Sequence, residues 1–107
     1  MRVYQRAIEM NRRLAAMAPL IERNDRDLLR QMKRAASSVA LNLAEGLGNQ
    51  GGNRELRFQT ALGSAREVQA CMDVAAAWGY LRAADGDVRG NVDRVVAMLC
   101  NLVKARR

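Results

Sequence analysis

The sequence predicts an all-α fold, an antiparallel up-down-up-down four-helix bundle with residues 1–107 as a single domain. Three observations carry this expectation. Apolar residues recur at alternating steps of three and four in four separate segments, the repeat of a helix with one buried face. Aromatic residues make up only 4% of the chain, and Ala, Leu, Val and Met carry the apolar content, whereas sheets favour aromatic and β-branched side chains. The segments are joined by short stretches marked by proline or glycine, and short connections make consecutive helices antiparallel neighbours. A chain of 107 residues buries enough surface to hold such a bundle without disulfides or metals.

The first helix is expected over Val3–Met17, with Val3, Ala7, Met10, Leu14 and Met17 as its seam. Arg2, Arg6, Glu9 and Arg13 form a separate, mostly basic face. Pro19 is expected to separate helices, in a connector Ala18–Arg23 that tucks Leu20 and Ile21 onto the bundle. The second helix opens at Asn24, with Asp27 three residues on in the manner of a capping box. It runs through Leu28, Met32, Ala35, Val39 and Asn42 to about Leu47. Gly46 and Gly48 stop it, and Gly48-Asn49-Gln50-Gly51-Gly52 is a flexible turn.

The third helix begins near Asn53, with Phe58, Ala61, Ala65, Val68, Met72 and Ala75 as its seam. It ends at Trp78-Gly79-Tyr80, where Gly79 suits the left-handed position after a helix. Gly63 inside it costs about 1 kcal/mol relative to alanine, so a close helix crossing is expected there. The fourth helix starts around Asp85 or Asp87, buries Val88, Val92, Val95, Leu99 and Leu102, and finishes in Lys104-Ala105-Arg106-Arg107. Cations suit that end of a helix dipole.

One stretch departs from this apolar logic. In Arg34-Ala35-Ala36-Ser37-Ser38-Val39-Ala40-Leu41-Asn42-Leu43-Ala44-Glu45-Gly46, the polar residues Ser38, Asn42 and Glu45 share one helical face beside the seam. Buried polar groups left unpaired cost about 1–3 kcal/mol, so partners are expected on the third helix. An antiparallel register about the glycine-rich turn sets Ser38 opposite Ser64, Arg34 opposite Glu67 and Glu45 opposite Arg57. The expectation is a structural polar seam of Arg34, Ser38, Asn42, Glu45, Arg57, Ser64 and Glu67, within the bundle or against another subunit.

Catalysis, cofactors and metals find no support in the residue pattern. The chain has no histidine, its two thiols lack a base partner, and no metal-ligand spacing occurs. The glycine-rich turn follows a helix and lacks the Lys-Ser/Thr ending of a phosphate loop. No apolar run is long enough to cross a membrane, and the N-terminus lacks the apolar core of a secretory signal. The expectation is therefore a non-enzymatic cytoplasmic protein whose Cys71 and Cys100 stay reduced.

The charge is informative. Net charge is +7, sixteen of the eighteen cations are arginine, and arginine suits bidentate phosphate contact. Arg2, Arg6, Arg12, Arg13, Arg23, Arg26, Arg30 and Lys33 crowd the first third of the chain with only four acids among them. These eight are the candidate nucleic-acid contacts, acting on phosphate rather than on base edges. Few aromatic platforms exist for stacking single-stranded bases. The alternative is an oligomeric protein-interaction scaffold whose charge serves solubility.

Arg34 to Gly46, then Phe58, then Ala61-Leu62-Gly63-Ser64-Ala65-Arg66-Glu67, then Gly79-Tyr80, resembles the 23S rRNA intervening-sequence protein family. That family is related to the accessory variability determinants of diversity-generating retroelements. The resemblance implies a homopentamer of four-helix bundles around a central channel, and a basic surface that binds RNA or an RNA/DNA hybrid. In the retroelement members it implies partnership with a reverse transcriptase. It implies no enzymatic activity. The loop Asn49-Gln50-Gly51-Gly52 departs from the family pattern in lacking basic or serine residues.

Overall fold

Each apolar seam turns inward onto a common core. In a computed structural model, residues 1–49, 52–82 and 85–105 are described, and among them there are four helices and no strand. They are α1 (Arg2–Asn24), α2 (Arg26–Gly48), α3 (Gly52–Ala77) and α4 (Gly86–Ala105). Every residue assigned to the seams of α1 and α3 is buried. α2 packs on α1 and α3, and α4 packs on α3 and α1, in a body of 42 × 21 × 20 Å. Gln50 and Gly51 of the turn, and Arg106 and Arg107, lie outside the described residues.

The first helix is longer than expected, because Pro19 lies within it. A proline there forfeits the helical bond to the carbonyl of Ala15, and both Ala15 and Pro19 lie on the exposed side of the helix. Ile21, fully buried, is the next step of the Val3–Met17 repeat and anchors the turn beyond the proline. The cap of α2 is also corrected. Asp25, not Asn24, closes the first turn by accepting from the Leu28 amide at 3.0 Å, while Asn24 donates back to the Leu20 carbonyl.

Two glycines exchange roles. Gly63 is exposed, and an added Cβ would meet nothing within 4 Å, so the expected close crossing is not there. It is at Gly46, where a Cβ would lie 2.5 Å from Cε1 of the buried Phe58 ring. Gly79 behaves as expected: at φ +77° it lets Tyr80 donate to Ala75 O at 2.8 Å and itself donates to Ala76 O at 3.0 Å. One polar group in the core is unsatisfied: the buried Asn91 Oδ1 has no hydrogen-bond partner among the described residues.

Candidate nucleic-acid interface

The buried seam fixes the rotation of α1 and so decides what it displays. Arg2, Arg6 and Arg13, at steps of four and seven, share one stripe. Ile8, Asn11, Ala15 and Ala18, on the other flank of the seam, line a groove against α2. Arg12 and Lys33 enter that groove from α1 and α2 respectively; it encloses about 610 Å³, with Leu29 and Met32 in its lining. Arg23, Arg26 and Arg30 gather around the α1–α2 turn, where Glu22, Asp25 and Asp27 stand among them. The eight candidate contacts thus form three groups rather than one plane.

Some of these cations are partly neutralised. Arg12 Nη1 lies 2.6 Å from Glu9 Oε2, and Arg13 Nε lies 3.2 Å from Oε1 of the same carboxylate. The hydrogen bond from Arg12, then that from Arg13, holds the Glu9 carboxyl below the usual glutamate range. Arg30 Nη1 sits 3.5 Å from Asp27 Oδ1, with both side chains largely in water, a pair of small energetic weight. Arg2, Arg6, Arg23, Arg26 and Lys33 make no ion pair among the described residues.

The polar seam exists only in its middle. Ser38 Oγ and Ser64 Oγ are 2.7 Å apart across α2 and α3, and Asn42 Nδ2 donates to both Ser38 O and Ser38 Oγ. Arg57 Nη1 donates to Asn42 Oδ1 at 3.2 Å rather than to Glu45. Arg34, Glu45 and Glu67 are exposed and form no ion pair among the described residues. The expected Arg34–Glu67 and Glu45–Arg57 pairs are therefore absent. The physical reason is rotation: the α2–α3 contact closes over the small serines, and the longer charged side chains on its outer edge reach water.

Further side chains fix the frame and were not singled out from the sequence as site residues. Asn11 Nδ2 donates to Ala7 O and to Ala36 O, both at 2.9 Å, stitching α1 to α2. Arg54 Nε donates to Gly46 O at 3.0 Å and to Asn49 O at 2.7 Å, and Nη2 reaches Leu47 O. The last carbonyls of α2 are thereby satisfied from the start of α3. Arg89 binds Asp73, and Gln69 Nε2 donates to Asp93 Oδ1 at 2.9 Å, tying α3 to α4. The only prior signal for Arg54 was its position two residues after the glycine-rich turn.

No group of three or more His, Cys, Asp or Glu able to hold a metal occurs among the described residues. Burial, with a smaller effect of Glu67, raises the Cys71 thiol above its ordinary range, so it stays protonated and weakly nucleophilic at neutral pH. No described helix is long and apolar enough to cross a membrane.

Comparison with known proteins agrees with this frame. The family model described as 23S rRNA-intervening sequence protein matches residues 1–101. No curated protein matches the chain. Among solved structures, a protein of unknown function from the S23 ribosomal protein family of Bacteroides thetaiotaomicron superposes with a TM-score of 0.86 at 15% identity. The superposition covers 95% of this chain and 98% of that one; at such identity it speaks for the fold alone.

Proposed function

The chain belongs to the 23S rRNA-intervening sequence protein family, and from that premise we propose that it is a non-enzymatic accessory protein that binds structured RNA or an RNA/DNA hybrid. The observation that carries this reading is the display, on α1, its turn and the start of α2, of Arg2, Arg6, Arg23, Arg26 and Lys33, which make no ion pair among the described residues. Phosphate contact needs such cations and little else. Rigid helices also suit the fixed phosphate spacing of a duplex better than a flexible tail would.

The proposal includes an up-down-up-down bundle that assembles as a homopentamer, so that each cation group is repeated around a ring. Repetition raises avidity without new contacts. Where the gene sits in a diversity-generating retroelement, the protein partners the reverse transcriptase; the location is cytoplasmic. Fluorescence anisotropy with a labelled RNA hairpin tests the core of the reading. Binding at low salt, competed equally by unrelated hairpins, is expected. Absence of binding at low salt would sink it and favour the protein-interaction scaffold.

A further inference from the structure

The chain has one phenylalanine, two tyrosines and one tryptophan, and all but the last serve the core. Phe58 is buried, and Tyr4 and Tyr80 pack against the core from half-buried positions. Trp78 stands 71% exposed. Tryptophan is on average a well-buried side chain, so one left in water needs a reason. Its seat is firm nonetheless. The Trp78 amide donates to Val74 O at 3.0 Å, and Gly79, at φ +77°, closes the helix directly after it. The indole is held out on the end of a rigid helix.

Its place in the fold gives it neighbours. Ser64 meets Ser38, and Arg54 reaches Gly46 and Leu47, which sets α3 antiparallel to α2. From Ser64 forward to Trp78 and from Ser38 back to Asn24 are equal numbers of residues, about 21 Å of helix in each. Trp78 therefore stands level with the α1–α2 turn, one helix-packing distance away, about 8–10 Å. That turn carries Arg23 and Arg26, which make no ion pair among the described residues. Of its acids, Asp25 caps the Leu28 amide and Asp27 faces Arg30, which leaves Glu22 uncommitted. Beyond Trp78 in the chain, the Arg82 side chain is 69% exposed. The Asp85 carboxylate, 3.9 Å from its Nε, already accepts from the Arg82 amide. An aromatic face with guanidinium groups around it suits a nucleic-acid base and the phosphates beside that base.

We propose that Trp78 stacks on one unpaired base of the RNA whose phosphates the arginines of the α1–α2 turn hold. The inference rests on the RNA-binding reading above and names its ligand class: a stem with a loop, bulge or open end, rather than an uninterrupted duplex. A base inside a duplex has both faces covered by its neighbours, whereas an unpaired base is free to stack on a side chain. A single platform reads no sequence, because every base has a stacking face. That agrees with the equal competition expected of unrelated hairpins.

Because the chain has one tryptophan, its emission reports on this position alone. The test titrates the full chain at low salt with an RNA hairpin and with the same hairpin made abasic throughout its loop. The second keeps every phosphate and loses the loop bases. The intact hairpin is expected to quench the emission and the abasic one to quench it little. In Trp78→Ala, with helicity checked by circular dichroism, anisotropy is expected to show the intact hairpin bound about 5- to 150-fold more weakly, the contribution of one stack. The abasic hairpin is expected to bind this variant as it binds the wild type. Binding of both hairpins with equal quenching, or with none, would overturn the stack while leaving the RNA reading intact. An unchanged hairpin affinity in Trp78→Ala would do the same. Failure of both hairpins to bind would overturn the RNA reading, and this inference with it.

Discussion

A methyl group at Gly46 would sit 2.5 Å from Phe58 Cε1 and 2.8 Å from Cδ1, against a ring that is 1% exposed and has no room to move. Gly46→Ala is therefore expected to destabilise the fold by about 1–3 kcal/mol, despite the gain in helix propensity. Gly90→Ala, in α4 with open space around it, is expected to stabilise by about 0.5–1 kcal/mol. Urea unfolding measures both; a neutral Gly46→Ala would contradict the tight α2–α3 approach. Helical phase in the sequence could have separated Gly46 from Gly63. Gly46 continues the buried run Val39–Leu43 by one step, whereas Gly63 falls between Ala61 and Ala65, off their face. Glu9 offers a pH test at the same scale. Its carboxyl is held low in the folded state, so it contributes stability above the ordinary glutamate pKa, and that contribution is lost as pH falls through the depressed value. Because the carboxylate is open to solvent in part, the clearest readout is its own NMR titration, which is expected to move back up in Arg12→Ala.

Helices were legible as elements, because a buried seam must repeat every 3.5 residues, and so were most of their ends; the α1–α2 boundary was not. Pro19 looked like a boundary, yet an exposed proline does not end a helix when Ile21 holds the next turn down. The start of α2 depended on which of two adjacent polar residues points at the Leu28 amide, a choice of dihedral angles that composition does not encode. Asp25→Ala is expected to cost about 1 kcal/mol and Asn24→Ala much less, read as shifts in the urea midpoint at constant slope. The α2–α3 seam divides the same way. Its register was legible and brings Ser38 to Ser64, and Ser64→Ala is expected to cost about 1 kcal/mol. The pairing of Arg34 with Glu67 was not legible, because facing numbers do not say whether two long side chains point at each other or outward. Both are exposed, so Arg34→Ala should change the stability of the monomer by less than about 0.5 kcal/mol.

At the scale of the molecule, the faces divide the labour. The inner seams make the core, the outer face of α2 and α3 exposes Leu41, Leu56 and Val74, and α1 with its turn presents cations to solvent. The fold class and the arginine excess were open to view in the sequence, since both are sums over many residues. The grouping of those arginines was not, because it depends on how far each helix is rotated about its axis. Arg12 and Arg13 share Glu9, whereas Arg23 and Arg26 are free of ion pairs among the described residues, and that difference ranks them as contacts. The central claim is that these cations hold RNA phosphates. It is tested most directly by the salt dependence of RNA-hairpin affinity for the wild type and for Arg23→Ala/Arg26→Ala. The account predicts a steep linear fall of log affinity with log salt for the wild type. In the double variant, binding weakens about equally for every hairpin, and the slope is shallower by roughly one per lost phosphate contact. A flat salt dependence in the wild type, or a double variant with unchanged slope and affinity, would contradict it.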